Sequence, residues 1–160
     1  KTFFVHNAMA MQNDEMVDEL RDLVLINNDR INGYEKAAED IEDAQLATLF
    51  RNLTSQSRQF RSELADVILR MGGTVPDVGD TSTGSKVHRT WIDTKAAFTG
   101  KDRNTIMEAC VFGDDAAIEE YEEALDEEDL PAYVRETVSR QLAELRQTRD
   151  QIATLRNATE

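Results

Sequence analysis

The length of its apolar seams constrains this chain more than any other feature. From Asp14 to Ile41 the seam runs Val17, Leu20, Val24, Asn27, Ile31, Tyr34, Ala38 and Ile41. Spacings of three and four sustained over about seven turns mark a helix buried along one face. A second seam runs from Ala44 to Met71 through Leu46, Leu49 with Phe50, Leu53, Ser57, Phe60, Leu64, Val67 with Ile68, and Met71. Asp43 is placed to cap that helix. So short a joint folds the two helices into an antiparallel hairpin.

The stretch "GGTVPDVGDTSTGS" then stops the second helix and opens a loop. "SKVHRTWIDTKAAFTG" reads as a short amphipathic helix with Val87, Trp91 and Phe98 on one face and Ile92 at its edge. Asp102 is the expected cap of a third helix reaching about Asp126. Its seam is Ile106, Cys110, Gly113, Ala117, Glu120 and Ala124, with Tyr121 alongside. A fourth helix starts in "EEDLPAYV", with Asp129 near its cap and Pro131 in its first turn. Its seam is Val134, Val138, Gln141, Leu145, Thr148, Ile152 and Leu155.

Each main helix is roughly 40 Å long at about 1.5 Å per residue. The link between the second and third can travel that whole length, which sets those two helices parallel. The expected fold is therefore all-α: a four-helix bundle with one long crossover carrying a short extra helix, the connectivity of ferritin-like proteins. A simple up-down bundle is the alternative, and it leaves the long link without a purpose. Residues 14–160 form the expected single domain, preceded by an N-terminal arm over 1–13. In the arm Phe3, Phe4 and Val5 favour extended structure, and Ala8, Met9 and Met11 add apolar surface. That surface points to docking on the bundle or on a neighbour rather than to a loose end.

Composition excludes several classes of function. With 18 basic and 32 acidic residues the net charge is −14, which opposes binding to nucleic acid and to anionic membranes. No apolar run approaches the roughly 20 residues of a membrane span, and "KTFFVHNAMAMQ" lacks the apolar stretch of a signal peptide. The single cysteine, Cys110, allows no internal disulfide and suits a reducing, cytoplasmic compartment.

Polar residues that interrupt the seams are the informative ones: Asn27, Ser57, Gln141 and Thr148, with Glu120 on the third helix and Tyr34 and Tyr121 close by. A polar side chain in a bundle core costs free energy unless it is hydrogen-bonded. At mid-height these residues can form one polar layer. Such a layer either fixes helix register and holds water, or it binds a ligand or metal.

The segments "INNDRINGYEKAAE", "SQSRQFRSELADVILRMGG", "HRTWIDTKAAFTG" and "GDDAAIEEYEEAL" together resemble an uncharacterised bacterial family of ferritin-like four-helix-bundle proteins, a domain of unknown function. The resemblance spans about residues 14–156. It implies a fold and brings no reaction with it. In the wider superfamily, di-iron members use one Glu on each of two helices and a Glu-x-x-His pair on each of the other two. In rubrerythrin and bacterioferritin the first-helix Glu lies seven residues before a tyrosine, and seven before Tyr34 is Asn27. The pair on the second helix falls on Ser57 and Phe60, and the third-helix carboxylate falls on Asp114. The fourth helix has no Glu-x-x-His, and its histidine position falls near Thr148 or Arg149. The two histidines, His6 and His88, lie in the arm and the crossover. The resemblance therefore implies a degenerate metal site, with no cofactor and no standard di-iron centre.

The remaining motifs are weaker. "GDTSTGSK" reads Gly84-Ser85-Lys86 where a phosphate-binding loop needs Gly-Lys-Ser/Thr, and no strand precedes it. Cys110 has no histidine within helical reach to serve as a base, so it reads as a small buried residue. Ten of the sixteen residues from Asp114 to Asp129 are acidic. Clustered carboxylates suit a weak divalent-cation surface, although a solvated helix face is the simpler reading.

The expected function is that of a non-catalytic bundle acting by self-association or by binding a protein partner, without nucleic acid or membrane. The alternative is a metal-binding protein or oxidoreductase with a non-standard carboxylate site built from Asp114, Glu120, Glu35 or Glu63. A third reading is a small-molecule pocket around Asn27, Ser57 and Gln141.

Overall fold

A computed structural model describes residues 2–81 and 102–158, with side chains from Asn13 onward. The predicted helix within 85–100, with His88 and Trp91, lies outside the described residues, as do Gly84-Ser85-Lys86 and the His6 side chain. Four helices and no strand occur among the described residues: α1 (Thr2–Asp40), α2 (Ala44–Arg70), α3 (Arg103–Leu125) and α4 (Ala132–Asn157).

Three of the four helices begin within a few residues of the expected positions, and α1 does not. Its backbone is helical from Thr2, where extended structure was expected over Phe3 to Val5. The cost of β-branched and aromatic residues in a helix is only a few tenths of a kcal/mol each. Ala8, Met9, Ala10, Met11 and Gln12 behind them are strong helix formers, and extending an existing helix needs no new nucleus. At α4 the shift is small. Pro131 has an extended ψ of 149° and occupies the N-cap position expected near Asp129, so the cap lies two residues later than expected and Pro131 precedes the first turn.

The ends of α2 show how sequence sets an element. Asp43 Oδ1 accepts from the backbone N–H groups of Gln45 (2.8 Å) and Leu46 (3.1 Å), satisfying two orphan donors. At the other end Gly72 takes φ of 83°, its N–H donates to Leu69 O, and the Gly73 N–H donates to Ile68 O at 2.9 Å. That is a Schellman stop, which favours a residue without a Cβ. The loop that follows lies back on the hairpin. Arg21 donates to Thr74, and Asn28 Nδ2 donates to Asp77 O (3.2 Å) and Asp80 O (2.8 Å). Arg61 donates to Asn28 Oδ1 (2.8 Å) and Pro76 O (3.2 Å).

Side-chain contacts fix the helix directions. Asn28 meets Arg61 and Arg30 meets Ser57, so α1 and α2 are antiparallel. Asn27 meets Tyr121 while Tyr34 meets Asp114, so α1 and α3 are antiparallel. Gln56 meets Thr148 and Glu63 meets Arg140, so α2 and α4 are antiparallel. Arg146 pairs with Glu122 and Arg149 with Asp115, so α3 and α4 are antiparallel. All four helices contribute to one apolar core. No helix among the described residues is long and apolar enough to cross a membrane.

Candidate functional site

The core is interrupted at mid-height by a polar layer to which every helix contributes. Its centre is Arg30 of α1, a residue the seam pattern does not single out. The side chain is fully buried. Its Nε donates to Asp114 Oδ1 at 3.1 Å, its Nη1 donates to Ser57 Oγ at 2.7 Å, and its Nη2 reaches Gln56 Oε1 at 3.5 Å. The guanidinium carbon also lies 5.3 Å from the centre of the Tyr34 ring, within range of a cation–π contact.

Asp114 is equally buried and accepts on both oxygens. Tyr34 donates its hydroxyl hydrogen to Oδ2 at 2.6 Å while Arg30 donates to Oδ1. Burial pushes the Asp114 carboxyl up from the usual carboxylate range, and the Arg30 charge and the two donors act against that push. Burial also works against the Arg30 charge, but Asp114 beside it more than compensates and holds the guanidinium protonated. Two oxygens that both accept, facing a group that only donates, make an ionised pair. Ser57 completes the arrangement: its own hydrogen goes to Leu53 O at 3.0 Å, leaving its lone pairs for Arg30.

A second chain of hydrogen bonds starts one turn earlier on α1. Asn27 Nδ2 donates to Tyr121 OH (2.8 Å), Tyr121 donates to Gln141 Oε1 (2.7 Å), and Gln141 Nε2 donates to Glu63 Oε1 (3.0 Å) and Phe60 O (3.2 Å). Glu63 is then met at the surface by Arg140 at 2.8 Å. This chain leads from the core to solvent, yet two of its links are amides. Amides neither gain nor lose a proton near neutral pH, so the chain fixes geometry and does not relay protons. Burial also pushes the Tyr121, Tyr34 and Cys110 groups up. Cys110 is fully buried and stays a thiol, without the thiolate character a nucleophile needs.

The structure places the sequence-selected residues in three different settings. Asn27, Ser57, Gln141, Tyr34 and Asp114 are buried in the layer, and Thr148 joins it by accepting from Gln56 Nε2 at 3.3 Å. Glu120 is partly exposed. It lines a small cleft between α1 and α3 with Glu19, Asp22 and Glu123, so on this seam Tyr121 is the residue that reaches the layer. Glu35 is exposed and paired with Arg58, in a groove between α1 and α2. Sequence reasoning missed Arg30, Asn28 and Gln56. The available signal was that Arg30 follows Asn27 by three and precedes Tyr34 by four, which puts it on the buried face of α1.

A di-metal centre needs several carboxylates and imidazoles converging on one point. The residues here do not fit one. A guanidinium brings a fixed positive charge into the layer, and both oxygens of Asp114 are committed to fixed donors. Among the described residues no group of three or more His, Cys, Asp or Glu side chains could hold an ion.

The model of one family, described as domain of unknown function DUF2383, matches residues 15–127. The chain belongs to the DUF2383 family. The match takes in α1 from Glu15, α2 and α3, and so covers the Arg30–Asp114 pair with Tyr34 and Ser57, while α4 lies beyond it. The comparison with curated proteins finds no match.

Proposed function

We propose that this DUF2383 protein is a non-catalytic ferritin-like bundle that acts through self-association or by binding a protein partner. The connectivity is supported by the helix directions. α2 and α3 both run antiparallel to α1, hence parallel to each other, as one long crossover between two hairpins requires.

The observation that carries the functional reading is the Arg30–Asp114 pair, buried on both sides at 3.1 Å. By the spacing that the resemblance supplies, the superfamily's ligand positions fall on Asn27, on Ser57 and Phe60, on Asp114 and near Thr148 or Arg149, and an internal guanidinium binds Ser57 and Asp114. A chain that supplies its own cation in the core has given that layer a structural task. The second reading, a non-standard carboxylate metal site, lacks convergence. Asp114 is in the core, Glu120 is at the α1/α3 cleft, and Glu35 and Glu63 are each paired with an arginine.

What remains for function is the surface. Phe112 and Leu69 are exposed on α3 and α2 at 56% and 61%, and Val78 at 75% on the loop after α2. Single exposed apolar residues are ordinary, so the apolar N-terminal stretch is the stronger lead toward assembly. The test is light scattering on the full chain and on a variant lacking residues 1–12. Assembly predicts an oligomer that dissociates more readily after truncation. A monomer before and after, together with no partner dependence on that stretch, rejects the assembly reading. Loading with Fe(II) and Mn(II), dialysis and metal analysis tests the alternative. One or two ions per chain, lost in Asp114→Ala, would restore it.

A further inference from the structure

The polar layer contains one acceptor that the protein leaves unanswered. Asn27 is 0% exposed, and its Oδ1 has no hydrogen-bond partner. Rotating the amide does not cure this. Nδ2 donates to Leu23 O at 2.8 Å, one turn back on the same helix. Exchanging N for O would set two acceptors against each other there. Tyr121 OH accepts the other Nδ2 hydrogen and spends its own hydrogen on Gln141 Oε1. The orientation of Gln141 is fixed in turn, because its two Nε2 hydrogens go to Phe60 O and Glu63 Oε1. Every donor along this chain is therefore committed, and the direction of the chain leaves Oδ1 as an acceptor.

A buried carbonyl oxygen without a donor pays the full cost of its lost hydration, and native interiors answer such groups almost without exception. We infer that Asn27 Oδ1 is the anchor of an internal water site in the bundle core. The donor it takes is small and neutral. A cation is disfavoured by the Arg30 guanidinium one turn along α1, whose charge dominates the layer. A water has the further advantage that it can also accept. Each Arg30 Nη carries two hydrogens, and one hydrogen bond is formed from each, so spare donors lie in the same layer. Buried waters characteristically make about three such bonds. The site explains why an asparagine, and not a leucine, stands in this seam: its amide holds Tyr121 on one side and a water on the other.

Two measurements on the full chain test this. In a crystal structure at about 2 Å or better, a single spherical solvent peak is expected within about 2.7–3.2 Å of Asn27 Oδ1. Clear density for the amide with no peak beside Oδ1 overturns the inference, and so does a larger ligand in its place. In solution, water-deuteron magnetic relaxation dispersion counts long-lived internal waters. Asn27→Leu, checked for helicity by circular dichroism, is expected to lose at least one relative to the parent. An equal count in a folded variant also overturns the inference. The crystallographic result stands on the parent chain if the variant does not fold.

Discussion

At the scale of the residue, Arg30 and Asp114 dominate the energetics of the core, and magnitudes show what kind of contribution they make. Breaking a buried pair from one side leaves an uncompensated charge, at a cost of about 3–5 kcal/mol, whereas replacing both partners with apolar residues of similar volume is often neutral or stabilising. Asp114→Ala is therefore expected to lower the urea-unfolding free energy by that amount, and Arg30→Met alone by a comparable amount. The double variant Arg30→Met/Asp114→Leu is expected to recover most of the loss. If the double loss equals the sum of the two single losses, the groups are not coupled and the layer has been misjudged. A second residue-scale prediction concerns Glu19. Burial raises its pKa from the ordinary 4.5, and Glu127, Asp22, Glu123 and Glu15 raise it further. The folded state then holds its proton more tightly than the unfolded chain, so stability falls as pH rises from about 4.5 through the raised value. Glu19→Gln removes the repulsion. It is expected to add on the order of 0.5 kcal/mol at pH 7, after allowance for its partial exposure. That gain should disappear below the ordinary value, as urea titrations at several pH values would show.

At the scale of the element, the helices were largely legible in the sequence and their meeting points only partly so. The seams of α2, α3 and α4 come from a strict period, and Asp43 and the Gly72-Gly73 pair are local signals with local consequences. The start of α1 was not legible, because β-preference at Phe3 to Val5 is a weak term that an existing helix overrides. The polar breaks Asn27, Ser57 and Gln141 were visible against apolar neighbours. Arg30 was not, because a charged residue beside a seam ordinarily reaches solvent, and what holds it inside is Asp114, 84 positions away. The spacing from Asn27 and to Tyr34 puts Arg30 on the buried face of α1, but the pattern of one helix does not name the partner that lets the charge stay there. One contact between elements gives a sharp test. A Cβ on Gly73 would lie 2.6 Å from Val17 Cγ1 and 3.0 Å from Ile68 Cγ2. Val17 is β-branched and stiff at χ1, so it yields poorly. Gly73→Ala is expected to cost about 1–3 kcal/mol by overpacking, read as a lower urea midpoint with an unchanged m-value. A neutral result would mean that the loop end of α2 repacks freely against α1.

At the scale of the whole molecule, two electrostatic effects compete, and their sizes decide the outcome. Among the described residues, the ion pairs Arg140–Glu63 at 2.8 Å, Arg146–Glu122 at 3.2 Å and Arg149–Asp115 at 2.7 Å clip α4 to its neighbours. These pairs are solvent-accessible, and pairs of that kind contribute about 0–1 kcal/mol each. Against them stands a net charge of −14, concentrated where α3 turns into α4, which opposes the compact state through self-repulsion. Salt weakens both effects, since the screening length falls from about 30 Å at 0.01 M to about 3 Å at 1 M. The pairs are short-ranged and few, while the repulsion is summed over many carboxylates at distances that screening reaches first. The melting temperature is therefore expected to rise with added sodium chloride, by several degrees between low salt and about 0.5 M. Calorimetry in chloride is the right measurement, because sulfate would also stabilise by exclusion from the surface. The buried Arg30–Asp114 pair lies beyond the reach of counter-ions, so Asp114→Ala should show the same salt slope as the parent. A melting temperature that falls with salt would put the interhelical clips ahead of the net charge and make α4 the element whose docking depends on ionic strength.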